Sequence, residues 1–238
     1  MNNPVNIDIG EAFGFAFKDD KWIVKILVGG LLLFVPIIGT FMASGYTAAT
    51  ARHVVDRHPS PLPEWDNFGD LLKRGFFYLV IGLVYALPIL LPMFLFLCVL
   101  FPLGAAAGDS DTAAGAGLIG LMTLCLIPLV LIFTIVASLF SYAALVRYVQ
   151  SDKLGDAFQF GGVIEMVRAQ PMTWVMLLLV GFLCGLVAGS GSLLFGFGFL
   201  FTTIYAQAVF GHALGQVAAQ LSTAGAHDFG QNQFDPSM

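Results

Sequence analysis

Long apolar runs broken by short polar stretches are the main pattern of this chain, and they predict membrane helices. Gly75 to Phe101 carries no charged residue, nor does Gly117 to Val146, and between Ala169 and His227 there is no Asp, Glu, Lys or Arg. A bilayer core needs about 20 apolar residues per helix, so each run is a candidate span. Met172 to His212 is 41 residues, about twice that need, so it should fold back, with Gly189-Ser190-Gly191-Ser192 as the turn. Gly75–Phe101 and Gly117–Val149 read as single spans joined by a small acidic loop containing Asp109 and Asp111. Trp22–Ala51 is 30 residues and reads either as one tilted helix or as two short halves broken at Val35-Pro36-Ile37-Ile38-Gly39.

Charge placement favours the break. Lys and Arg accumulate on the cytoplasmic side of membrane proteins. With three hairpins, all ten Lys and Arg fall on one side, from Lys18, Lys21 and Lys25 through Arg52, Arg57, Lys73, Arg74, Arg147 and Lys153 to Arg168. Both termini then lie in the cytoplasm. A single span over 22–51 would strand three lysines outside. Whether the two halves cross fully or re-enter stays open.

Short amphipathic stretches precede the runs. Asp8-Ile9-Gly10-Glu11-Ala12-Phe13-Gly14-Phe15 parallels Lys153-Leu154-Gly155-Asp156-Ala157-Phe158-Gln159-Phe160, with a fainter copy at Phe68-Gly69-Asp70-Leu71-Leu72. Tyr46, Tyr142 and Tyr205 recur near the ends of the runs. The pattern predicts an all-α integral membrane protein of about six apolar helical segments in three hairpins, each introduced by a short interfacial helix. The pseudo-repeats cover about 8–58, 68–150 and 153–219 of a single membrane domain, 1–221. A Gly-, Gln- and Asn-rich tail, 222–238, is expected to be loosely ordered.

Composition agrees with a membrane chain. Hydrophobic residues make up 58% and charged ones 11%, under half the roughly 25% usual in soluble domains. The mean hydropathy is +0.87. No basic stripe points to nucleic acid. The first apolar run follows acidic residues and lacks a basic start, so the first helix is expected to remain in the mature protein. Cys98, Cys125 and Cys184 lie in apolar runs without metal-ligand spacing and read as small hydrophobes.

Leu62-Pro63-Glu64-Trp65-Asp66, with Phe68-Gly69-Asp70, Gly10-Glu11-Ala12-Phe13 and the Val35–Gly39 break, resembles the prokaryotic membrane family catalogued as domain of unknown function 4013. The resemblance runs from about Asp8 to Gly215. It implies a bacterial or archaeal multi-pass protein with no assigned activity, and it transfers no catalytic residue.

Candidate chemistry is sparse. His53 and His212 end apolar segments at matching repeat positions, the arrangement of a two-histidine haem or metal site, but no third ligand accompanies them. The plainer reading is a pair of interfacial rings. Trp22 and Trp65 read as interface anchors, with Glu64 and Asp66 facing water or pairing with Lys73 and Arg74. Lys25 reads as a snorkelling side chain. Gly181, Gly185 and Gly189 form a stripe that would let another helix approach, by default the Ser192–Gly198 region, or else another subunit. No phosphate cradle, nucleophile elbow or metal cluster is present. The expectation is a non-catalytic protein of the cell inner (plasma) membrane without a cofactor, an accessory subunit or scaffold in contact with the lipid bilayer and other membrane subunits. The alternative is an uncoupled channel or carrier for a small neutral or lipid-like solute.

Overall fold

The computed structural model describes residues 5–108, 113–193 and 197–232, and these are all helices and connections. The Asp109/Asp111 loop lies outside the described residues. The chain begins with α1 (Ile9–Gly14), whose first turn is capped by Asp8: its Oδ1 accepts from the Glu11 amide at 2.8 Å. Such a cap satisfies a donor that has no partner inside the helix. A 3₁₀ turn (Phe15–Lys18) follows, burying Phe15 and Ala16 and leaving Phe17 outside.

The first apolar run is two helices, α2 (Trp22–Leu32) and α3 (Pro36–Val55). Proline lacks the amide that would continue α2, yet its fixed φ suits the first turn of α3. Gly39 is needed beside it, because a Cβ there would stand 2.5 Å from the Leu32 carbonyl oxygen. Ser60 bonds to Lys25 Nζ at 3.3 Å through its hydroxyl and to His53 Nδ1 at 3.1 Å through its carbonyl. The start of α2 and the end of α3 therefore meet at one polar end.

α4 (Phe68–Gly108) and α5 (Ala113–Ser151) are very long. Pro88, Pro92 and Pro102 lie inside α4; neighbouring helices and local adjustments tolerate such breaks in apolar surroundings. A separate interfacial helix was expected at Phe68–Leu72, and there is none: the segment is the first turn of α4. Asn67 Oδ1 accepts from the Asp70 amide at 3.2 Å, and the following Leu71-Leu72-Lys73-Arg74 offers no breaker. After α5 come α6 (Leu154–Ala157), amphipathic α7 (Phe160–Ala169), α8 (Pro171–Ser190) and α9 (Gly198–Asn232). The tail expected to loosen from residue 222 instead continues α9 to Asn232. There the Ser222 and Thr223 hydroxyls satisfy themselves on the Ala219 carbonyl, at 2.9 and 2.6 Å, without leaving the helix. Residues 233–238 lie outside the described part.

α3 sits between α4 and α9, and glycines set both contacts. A Cβ on Gly45 would strike the Leu71 carbonyl, and one on Gly75 the Phe41 carbonyl. Cβ atoms on Gly211 and Gly215 would come within 2.5 and 2.6 Å of the Thr47 and Ala51 carbonyls. Small residues allow backbones to approach until Cα–H groups meet carbonyls. α9 also packs on α2, α5 and α8. Its polar half holds the N-terminal segment, with Gln216 Oε1 accepting from the Asp8 amide at 2.9 Å and Gln220 Oε1 from the Asn6 amide at 3.0 Å.

Among the described residues, three helical stretches are long and apolar enough to cross a membrane: Phe68–Val99, Leu126–Ser151 and Pro171–Leu193.

Candidate functional site

Polar chemistry concentrates at the end where α2 begins and α3 finishes. Residues 56–67 form a strap across it. Lys25 lies at its centre, 3% exposed, with Nζ 2.8 Å from Asp19 Oδ2, 3.0 Å from Glu64 Oε1 and 2.8 Å from the Leu62 carbonyl oxygen. It does not snorkel to water as expected. A buried ammonium requires paired charge and hydrogen bonds to offset desolvation, and two carboxylates and a carbonyl supply them. Asp19, itself 7% exposed, also accepts from the Lys21 and Leu62 amides at 2.9 and 3.4 Å. Burial alone would raise its carboxyl, but the Lys25 ammonium and these amides outweigh burial and hold it below the usual carboxylate value.

Trp65 is the strap's anchor to the protein rather than to a membrane interface. Its ring is 8% exposed and stacks on Tyr46, with centroids 4.5 Å apart and planes 7° from parallel; Nε1 donates to the Lys25 carbonyl at 2.8 Å. Gly29 makes room, since a Cβ there would lie 2.7 Å from the indole. The ring turns inward because α2 and α3 leave a slot that an indole fills, and its N–H finds a carbonyl there. Trp65→Phe keeps the stack and loses the hydrogen bond, so it should lower the stability of the detergent-solubilised protein by about 1 kcal/mol, read as the thermal midpoint of near-UV circular dichroism. Trp22 is half-buried, edge-on to Phe17 with centroids 4.9 Å apart.

Glu64 is half exposed to water, one of the two expectations, and its ion pair is with Lys25 and not with Lys73 or Arg74. Arg74 instead bridges Asp70 at 2.7 Å and Asp152 at 2.8 Å, tying α4 to the end of α5. Arg52 reaches from α3 to the Val149 carbonyl at 2.6 Å. Basic residues thus lace the same end of several helices together.

His53 and His212 do come together, in a cleft of about 180 Å³ shared with Glu11, Lys18, Arg57 and His58. Each ring is already engaged. His53 stacks on His58 at 4.2 Å, and His212 on Phe15 at 4.3 Å with Gln216 Nε2 3.3 Å from its Nδ1. Burial, partly opposed by the Ser60 carbonyl, lowers the His53 pKa. Among the described residues no three His, Cys, Asp or Glu side chains gather as a metal site.

Among the described residues of the chain, no helix closes onto the outer part of the glycine stripe on α8. Nothing lies within 4 Å of a Cβ on Gly185 or Gly189, and Gly181 sits beneath the Tyr142 hydroxyl. α8 packs instead through Trp174, Leu177, Val180 and Cys184. Gly181 and Gly185 line a cavity among α4, α5, α8 and α9. Spacing reveals which residues share a face; it does not reveal whether a neighbour occupies it.

Fold and polar end together define an all-helical protein with three helices fit to cross a membrane and a charged strap bound over one end. The chain belongs to the family described as protein of unknown function (DUF4013), whose model matches residues 28–197. Neither a curated protein nor a solved structure matches the chain.

Proposed function

We propose that this is a non-catalytic multi-pass protein of the cell inner membrane, acting as an accessory subunit or scaffold beside other membrane proteins. Its apolar segments form three hairpins, α2 with α3, α4 with α5, and α8 with the first half of α9. The basic end and both termini lie in the cytoplasm. One observation carries the docking role. In the most apolar window of each span-length helix only 11%, 22% and 28% of residues are buried within the chain. The remainder needs lipid or a partner helix against it, and exposed apolar faces of this extent mark such contacts. The strap, with α1 and α7 alongside, forms a fixed polar surface for a cytoplasmic partner. The cavity beside Gly181 and Gly185 favours a second reading, passive binding or carriage of a small neutral solute.

Two measurements test the proposal. In intact cells an impermeant maleimide should label Ser192→Cys and spare Asp66→Cys; the opposite pattern overturns the orientation. On a blue-native gel of mild detergent extract the protein should migrate with a larger assembly. Migration at the size of the isolated chain in its micelle overturns the subunit role.

A further inference from the structure

Where α4, α5, α8 and α9 meet, an open-sided cavity leaves about 230 Å³ unfilled. Small residues on α8 open it: Gly181, Gly185 and Ala188. Opposite them stand the rings of Tyr142 and Phe210, centroids 5.0 Å apart. What distinguishes this space is its polar groups. Tyr78, Tyr142 and Thr203 line it, and their hydroxyls make no hydrogen bond among the described residues. Gln207 lines it too. Its Oε1 is taken by the Thr47 hydroxyl at 2.6 Å, which leaves its amide N–H groups for the cavity. No Asp, Glu, Lys, Arg or His lines it. A larger apolar groove between α4, α5 and α7 lacks this character, because its one hydroxyl, that of Tyr85, already donates to the Ala157 carbonyl at 2.7 Å.

With these helices in a bilayer, unpaired donors between them are costly, since hydrocarbon offers them no partner. A ligand that satisfies them must be neutral, as no counter-charge is available. Acceptors on it would be matched, as the Gln207 amide can only donate here and the three hydroxyls can donate as well as accept. The ligand must also be flat enough to lie between aromatic rings and glycine backbone. We infer that this cavity binds a neutral ring bearing carbonyl oxygens, the chemical class of quinones and aromatic ketones, with Tyr78, Tyr142 and Gln207 donating to the carbonyls. Molecules of this class partition into bilayers and reach such a site from the lipid. The competing occupant is water, for which the space has room for several molecules.

The inference rests on the helices lying in a membrane, not on the docking role. The full-length protein in lipid nanodiscs is equilibrated with tritiated duroquinone, with empty nanodiscs correcting for partition. Saturable binding above the empty discs is expected. Tyr142→Phe and Gln207→Leu each remove one donor and should weaken it about five-fold. Gly185→Leu directs a side chain into open space, so it should abolish binding while the thermal midpoint of the unliganded protein stays in place. Absence of saturable binding means a water-filled cavity and overturns the inference, as does undiminished binding by Gly185→Leu. A protein that migrates alone on the native gel yet binds duroquinone defeats the docking role only; one that migrates in a complex and binds none defeats only this inference.

Discussion

Gly75→Leu should cost the detergent-solubilised protein roughly 3 kcal/mol or prevent its accumulation altogether, because overpacking is most damaging where the opposing atoms are backbone. The added side chain would meet the Phe41 carbonyl, and the two helices are in reciprocal contact, with Gly45 against Leu71. Neither carbonyl can turn aside without breaking a helical hydrogen bond, so α3 and α4 must separate as bodies. The check is the midpoint temperature of loss of monodisperse protein on size-exclusion chromatography after heating. Gly185→Leu is the control, since nothing opposes it. Equal tolerance of both substitutions would mean that α3 and α4 are not in contact at Gly45 and Gly75.

Lys25→Met should be at least as damaging. It removes the one cation between Asp19 and Glu64, and breaking a buried ion pair by deleting one partner costs about 3–5 kcal/mol. Asp19 bears most of that, being 7% exposed, while Glu64 can turn to water. Pairing Lys25→Met with Asp19→Asn should recover a good part of the loss, because the second change removes the stranded charge. The same pair gives the protein an acid limit. Asp19 has a folded-state pKa below its unfolded value of about 3.9. Its contribution is therefore complete above that unfolded value and is lost as pH falls through the lower folded one. Thermal stability measured from pH 7 downward should drop below about pH 4, and Asp19→Asn should shrink that part of the drop. An unchanged acid profile in Asp19→Asn would show that other carboxylates set the limit.

How far the sequence could be read depended on whether a feature was local or relational. The apolar runs carry their own evidence, because twenty consecutive residues without charge leave few alternatives. The break at Pro36 was legible for the same reason: a missing amide and a nearby glycine act within one turn. Lys25 was not. A lysine near the start of an apolar run has the composition of a snorkelling residue, and its partners lie six residues back and in a strap beyond the next helix. The one available signal was that a cation inside such a run needs a counter-charge, and Asp19 and Glu64 come together around it only in three dimensions. Trp65 misled similarly, since an indole between two acids fits an interface as well as a slot. The α8 glycines were correctly seen to share a face, but only the positions of Tyr142 and Phe210 reveal that face as a cavity wall. The glycines that bring α3 and α4 together, Gly45 and Gly75, have no second glycine four residues away in their own helices and form a motif only as a pair.

The place of α9 in the chain has a consequence for synthesis. It follows every other element in the chain, yet it is the helix on which α2, α3, α5 and α8 pack, and its Gln216 and Gln220 hold the backbone of Asp8 and Asn6. Until the ribosome has made it, Gly29, Gly30, Thr47 and Ala51 face a gap instead of a partner. The earlier helices stay unlocked until then, and contacts between such distant parts of a chain are the slow ones to form. Assembly of these helices therefore turns on α9: a nascent chain released before α9 emerges has the earlier apolar segments but no keystone.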